Sequence, residues 1–230
     1  MDNRYYFTEQ KENLVVIAGG EAQHLSKVRR AKVGDKIVAF NGDGYDYNLE
    51  ITNITKDKVE AKVLTKEINK ATNDTNIVVY LSMIKNDALT TAIDNLAELN
   101  VKQVKLFKSD YSVAVIDEKK LDKLNQISIQ ASKQCERADI MQITIINKKD
   151  IEKDCENSNT FFAYENSSNK IESFTGDFAV IIGPEGGFSE SENEYFSSFA
   201  KNISLSKTIL RAEVACVASV SMLKAVNDEG

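Results

Sequence analysis

The chain has 230 residues, 42% hydrophobic and 28% charged, with a net charge of −6; this suits a globular protein of one or two domains and argues against a free-standing nucleic-acid coat protein. One histidine, His24, and three scattered cysteines without CxxC spacing leave no material for a multi-histidine metal site, a His-based triad or a disulfide frame, so no metal is expected. No apolar run approaches the roughly 20 residues that cross a bilayer, and MDNRYYFTEQ lacks the basic end and apolar segment of a signal peptide, so no membrane association and a cytoplasmic location are expected.

The first 70 residues read as short strands. RYYF and LVVI are brief apolar stretches, KIVAFNGDGYDYNLEI places Asn-Gly-Asp-Gly between two strand-like runs as a hairpin signal, and NITKDKVEAKVL is a further turn and strand. One helix, about Gly20–Arg30, interrupts them, and a small β-barrel is the economical reading. Charge is uneven. Residues 1–70 carry 12 Lys/Arg against 11 Asp/Glu, residues 71–230 carry 17 against 24, and HLSKVRRAKVGDK (24–36) concentrates five basic residues against one acid.

A polar stretch, TKEINKATNDTN (65–76), reads as the connection between domains, predicted at 1–68 and 75–230. Beyond it the rhythm changes. IVVYLSMI is a continuous apolar run of buried-strand type, and in the next segment Leu89, Ala92, Ile93, Leu96 and Leu99 recur at helical spacing. QVKLF, a helix near 117–136, ITIIN, TFFAY, FAVIIG, a helix near 190–200, NISL and a final helix from about Leu210 follow. Strands alternating with helices predict an α/β domain with a mostly parallel sheet covered on both faces.

The stretch VIIGPEGGFSESE (180–192) holds the chain's one proline and three of its ten glycines. It stands where a central strand ends and a helix begins, and in open α/β sheets ligands bind outside the carboxyl ends of the strands. Proline fixes φ, while glycine permits positive φ and close approach of another molecule to the backbone. Such a loop is stiff and uncluttered, suited to a flat ligand held by main-chain groups; the plain alternative is a tight turn before a helix. No Gly-Lys-Ser/Thr follows, so it is not a P-loop, and NGDGYD lacks the third glycine of a dinucleotide fingerprint. Downstream, LSKTILRAEVACVASVSMLKA (205–225) leads into a helix rich in small residues, with Arg211 and Glu213 at its entrance.

IIGPEGGFSESE together with LSKTILRAEVA resembles the paired C-terminal motifs of the bacterial 16S rRNA (uracil-N3)-methyltransferases, the RsmE type of the SPOUT superfamily. EAQHLSKVRRAKVGDKI, IKNDALTTAIDNLAELNV and QASKQCER resemble further motifs of that family in the same order, so the likeness runs over nearly the whole chain. Val214 stands where the family usually has threonine, Ser206 where glycine is common, Asn95 where lysine is usual and Arg29 where leucine is usual; Asn100 replaces a helix-end glycine, and asparagine tolerates the left-handed conformation needed there.

The resemblance implies a PUA-like, RNA-binding β-barrel followed by an α/β domain tied in a deep trefoil knot, a homodimer, and S-adenosylmethionine as cofactor. Carried over by motif, the cofactor walls are Ala163, Tyr164, Gly183, Pro184, Glu185, Gly186, Gly187, Leu205, Ser206, Lys207, Ile209 and Leu210. The implied reaction is methylation of N3 of a specific uridine near the 3′ end of 16S rRNA in the small ribosomal subunit. Arg211 is then expected to hold a uracil carbonyl oxygen as charge builds, and Glu213 either accepts the N3 proton or orients Arg211; an Arg–Glu pair capping the helix is the plain alternative. Expected RNA contacts are His24, Lys27, Arg29, Arg30 and Lys32 in the barrel, with Lys85, Gln134 and Arg137 in the larger domain. Two other readings stay open: a SPOUT methyltransferase acting on a ribose 2′-hydroxyl or a pseudouridine, and a non-catalytic RNA-binding ribosome-assembly factor.

Overall fold

The computed structural model describes residues 4–71 and 75–227. They divide into two compact units, one within Met1–Asn73 together with Ser132–Ile140, the other within Asp74–Ala131 and Met141–Gly230.

The first unit contains β1 (Arg4–Tyr6), β2 (Glu9–Lys11), β3 (Leu14–Ala18), α1 (Gly19–Gln23), β4 (Lys36–Phe40), β5 (Tyr45–Ile54) and β6 (Lys58–Ile68). They form one sheet in the order β1-β4-β5-β6-β3-β2, antiparallel except for the β1–β4 pair. The hairpin signal is realised between β4 and β5. Gly42 and Gly44 take φ of 94° and 84°, and Asn41 and Asp43 each accept a backbone N–H two residues on. Alternate residues of β3 to β6 point inward, so Val15, Ile17, Ile37, Ala39, Leu49, Ile51, Val59 and Ala61 are buried with Tyr5, Phe7 and Tyr47. Irregularities in register at Asn48/Leu49 and Ile51/Asn53 bend the long β5–β6 ribbon.

Three features differ from the sequence reading. The helix expected at 20–30 is α1 followed by a π-helical turn, His24–Val28, in which Arg29 N–H donates to the His24 carbonyl. It stops at Arg30, which takes φ 51°. Strand β6 continues to Ile68, so the polar connection begins later than residue 65; Thr65 and Lys66 are strand residues facing solvent. Residues 132–140, expected in the larger domain, group with the first unit. Lys133 Nζ binds both carboxylate oxygens of Glu21 at 2.7 and 2.8 Å, and Asn69 Nδ2 donates to the Glu136 carbonyl at 2.9 Å.

The second unit contains β7 (Ile77–Ser82), α2 (Asn86–Glu98), β8 (Gln103–Phe107), most of α3 (Glu118–Gln134), β9 (Gln142–Ile145), α4 (Ile151–Asp154), β10 (Asn159–Ala163), β11 (Phe178–Ile182), α5 (Glu190–Ser197), β12 (Lys201–Ile203) and α6 (Ala212–Val226). All its strand pairs are parallel, in the order β12-β10-β11-β7-β8-β9. Strands β7 and β11 are buried along their whole lengths, which is why they read as continuous apolar runs. Their side chains alternate between two cores. Val79 and Leu81 join the face packed with Leu89, Ile93, Leu96, Val220 and Leu223 of α2 and α6; Val78 and Tyr80 join the face packed with Phe196 of α5. Helix α2 ends as its composition predicts, with Asn100 at φ 64°. The short α4, preceded by a 3-10 turn at Lys148–Asp150, was not legible because four residues show no period.

The α4 region also sets an acid limit on stability. Burial raises the Asp154 carboxyl, but Lys105 Nζ and Tyr80 Oη bind it and hold it below the ordinary 3.8. For Asp110, the Lys148 and Ser189 hydrogen bonds act first and in the same direction. A folded pKa below the unfolded one contributes stability that is present above about pH 4 and is lost as pH falls through the folded value. Urea unfolding is therefore expected to weaken steeply below about pH 4, and Asp154→Asn to make that acid slope shallower while costing about 1 kcal/mol at pH 7. An unchanged slope would remove Asp154 from this role.

Candidate active site

Strands β10 and β11 end side by side, and the chain leaves both into one cleft. Its walls are Ala163, Tyr164 and Glu165 after β10; Ile182, Gly183, Pro184, Gly187 and Phe188 after β11; Leu205, Ser206 and Thr208–Leu210 after β12; and Ala212 and Ala215 on the first turns of α6. The cleft has a cavity volume of about 90 Å3 and opens to solvent. It lies outside the carboxyl ends of parallel strands, where the loop composition predicts a ligand.

The glycines are there for steric reasons. A Cβ on Gly183 would lie 2.9 Å from the ring of Phe188, and Gly187 takes φ 71°. Phe188 cannot easily give way: it stacks on Phe107 with an interplanar angle of 5° and meets Phe162 and Phe196 edge-on at 5.4 and 5.0 Å. Tyr164 stacks in turn on Phe162. An aromatic cluster thus forms the floor under the glycine loop. Beyond it Ser206 Oγ accepts the Thr208 N–H and lies 2.9 Å from Thr208 Oγ1, closing a tight bend in the opposite wall.

The exit of the glycine loop is clamped. Ser189 caps α5 and forms a capping box with Glu192, whose carboxylate is 2% exposed. Glu192 accepts the backbone N–H groups of Asp110 and Ser189 and the Lys148 ammonium at 2.9, 3.0 and 2.6 Å. Lys148 also binds Asp110 at 2.7 Å, and Ser189 Oγ donates to the other Asp110 oxygen at 2.6 Å. Burial draws the Lys148 ammonium down, yet its two carboxylate partners carry it above its ordinary value. On the other side Lys85 N–H donates to Glu185 Oε1 at 3.2 Å.

Among the expected cofactor residues, Ala163, Tyr164, Gly183, Pro184, Gly187, Leu205, Ser206, Ile209 and Leu210 line the cleft. Glu185 and Gly186 occupy the outer bend of the loop, against Lys85 and Tyr111, and Lys207 faces a neighbouring groove with Lys170 and Met222. Thr208, inside the expected run 205–210, lines the cleft as well, while Glu165, Ile182, Phe188, Ala212 and Ala215 complete the walls and were missed. Arg211 is the exposed N-cap of α6, makes no side-chain cap bond, and forms no ion pair with the half-buried Glu213. The helix-capping Arg–Glu pair is therefore absent. Buried beneath them, the Cys216 thiol is pushed up by burial and then by the Glu213 charge, so it stays protonated.

Of the expected RNA contacts, His24, Lys27, Arg29, Arg30 and Lys32 are exposed on the first unit, Gln134 is exposed on that unit too, and Lys85 is exposed at the N-cap of α2. Arg137 is a correction. It is 1% exposed and its Nε and Nη2 each bind the Asp139 carboxylate at 2.9 Å, so its guanidinium is turned inward and committed to a carboxylate. Among the described residues no group of three His, Cys, Asp or Glu side chains is placed to hold a metal, and no helix is long and apolar enough to cross a membrane.

Comparison with known proteins gives two family models. One described as an RNA methyltransferase domain matches residues 71–224, and one described as an RNA methyltransferase PUA domain matches residues 17–64. The ribosomal RNA small subunit methyltransferase E of Helicobacter pylori is 31% identical over 92% of this chain and 95% of its own, and that of Rickettsia conorii is 27% identical over 96% and 95%. The fold matches the crystal structure of a ribosomal RNA small subunit methyltransferase E from Neisseria gonorrhoeae bound to S-adenosylmethionine, with a TM-score of 0.88, 24% identity and 98% of each chain covered. On the strength of the model that covers residues 71–224 and of the Helicobacter relative, the chain belongs to the ribosomal RNA small subunit methyltransferase E family of RNA methyltransferases.

Proposed function

We propose that this chain transfers the methyl group of S-adenosylmethionine to N3 of a specific uridine near the 3′ end of the small-subunit 16S rRNA. The observation that carries the reading is the cleft at the ends of β10 and β11, held open by glycines over an aromatic floor and closed by the first turns of α6. Its chemistry fits the cofactor. Ile182, Phe188, Leu205, Leu210 and Ala215 offer an apolar slot for an adenine ring, and Gly183 and Gly187 let the main chain approach it. When bound, S-adenosylmethionine supplies a sulfonium methyl that carries its own driving force, so the protein's part is positioning and charge. Uracil N3 is protonated at neutral pH; Arg211, exposed and without a side-chain partner among the described residues, is assigned to the carbonyl oxygen that gains charge as the proton leaves. Glu213, two residues on, takes that proton or orients Arg211. Calorimetric titration tests the cofactor assignment: micromolar binding is expected, and no heat at millimolar S-adenosylmethionine would overturn it.

Gly183→Ala is expected to weaken cofactor affinity at least tenfold. The new Cβ meets a Phe188 ring fixed by its aromatic neighbours, so the loop moves instead. Unchanged affinity in the same titration would show that the ring yields.

The same reading includes a knotted C-terminal region, a homodimer, a barrel at 1–68 that binds RNA, and a cytoplasmic location. Support for threading comes from β11, which lies between β7 and β10 although it follows β10 in the chain. The β10–β11 connection also bonds to both later elements: Ser204 N–H donates to Asn169 and Phe174 N–H to Val226, each at 3.3 Å. Support for self-association comes from Ile209, 89% exposed, and from Val214 and Met222 on the outer face of α6. The exposed basic residues His24–Lys32 give the first unit a surface for phosphates.

A further inference from the structure

Most aromatic rings of the second unit are packed into clusters, but Tyr111 is 54% exposed. It sits after β8 in a turn where Ser112 N–H donates to the Ser109 carbonyl at 3.1 Å. The residues on either side of it are fixed. Ser112 Oγ lies 2.9 Å from Ser82 Oγ and 2.8 Å from Ser109 Oγ in a largely buried hydroxyl cluster, while Asp110 is bound by Ser189 and Lys148. A Cβ on Gly186 would come within 3.6 Å of Tyr111 Cβ. The Tyr111 side chain thus leaves the backbone beside Gly186, the neighbour in sequence of Gly187 in the cleft wall. Lys85, bonded through its backbone to the same loop, and Lys108 are exposed nearby in the fold and the chain.

A rigidly held turn that keeps an aromatic ring in water gains from any flat apolar partner and loses little entropy in binding it. The proposed reaction creates such a partner. N3 lies on the pairing edge of uracil, so the base is reached only when unpaired, and proteins hold bases released from the stack against aromatic rings. Resting on the methyl-transfer reading, we infer that Tyr111 is the stacking platform on which an unpaired base of the RNA substrate is positioned at the rim of the cofactor cleft. The phenol ring supplies the face; the serine cluster and the Asp110–Lys148–Glu192 network supply the rigidity.

The test compares wild type, Tyr111→Ala and Tyr111→Phe, with unmethylated small ribosomal subunits and labelled S-adenosylmethionine. Because a stacked base contributes about ten- to a hundredfold in affinity, Tyr111→Ala should raise the half-saturating subunit concentration about tenfold or more. Turnover at saturation should change less, cofactor affinity by calorimetry should stay as in wild type, and Tyr111→Phe, which keeps the ring, should stay within about twofold of wild type. Wild-type half-saturation in Tyr111→Ala overturns the inference. So does a loss of its cofactor affinity, which would make Tyr111 a prop for Gly186, or a change in its sedimentation, which would make it a subunit contact. If wild type itself transfers no label, the methyl-transfer reading has failed. Filter retention of the subunits by wild type and Tyr111→Ala then decides the stacking alone, equal retention overturning it.

Discussion

Arg211→Ala is expected to lower methyl transfer at saturating substrates about 100- to 1000-fold, the loss that follows removal of one donor to a developing oxyanion. Cofactor affinity should survive. The guanidinium caps no backbone group and pairs with no carboxylate among the described residues, so its removal leaves no buried partner unsatisfied. The cleft wall beside it is made by Ala212 and Ala215 rather than by Arg211. Single-turnover transfer and calorimetry on the same preparation separate the two quantities. Equal losses in both would mean that Arg211 shapes the cofactor site, and full activity would remove it from the reaction.

Glu192→Ala should cause the largest loss of stability, about 3–5 kcal/mol, because it breaks a buried ion pair and strips partners from two backbone N–H groups at once. Against the 5–15 kcal/mol that holds a typical domain together, that is a large fraction. Lys148 keeps Asp110 as a partner, which limits the damage, and Ser189 keeps its hydroxyl cap on the N–H of residue 192. Urea unfolding measures the effect. Glu192→Gln, which retains acceptor geometry and loses the charge, should fall between wild type and alanine. A loss below about 1 kcal/mol for alanine would mean that water replaces the carboxylate at little cost.

Periodicity carried the fold. In α2, Leu89, Ala92, Ile93 and Leu96 mark the face that packs on the sheet, and in β7 and β11 continuous burial erases alternation, which is itself the mark of a parallel sheet with two covered faces. Local turn chemistry carried Asn41–Gly44 and Asn100, whose φ follows from residue type. What escaped had no such period: the three-residue β2, the four-residue α4, and the return of 132–140 to the first unit, which depends on Lys133 meeting a glutamate 112 positions earlier.

At the site, composition pointed to the loop but not to which of its residues face inward. Gly183 and Gly187 line the cleft while Gly186 lies outside it, a matter of backbone direction that no count of glycines reveals. The clamp at Glu192 did leave a signal, the Ser189-x-x-Glu192 spacing of a capping box before an aromatic pair. Phe188 left none, since its part as floor depends on Phe107 and Phe162 from other strands. Arg137 shows the opposite error: expected as an RNA contact, it is buried with its guanidinium bound to the carboxylate of Asp139 two residues away.

The most direct measurement incubates the protein with unmethylated small ribosomal subunits and methyl-labelled S-adenosylmethionine, digests the RNA to nucleosides and resolves the labelled product. Label in N3-methyluridine, from one position near the 3′ end of 16S rRNA, is the predicted result. Label on a ribose 2′-oxygen, on pseudouridine or on large-subunit RNA, or no label despite cofactor binding, would contradict it.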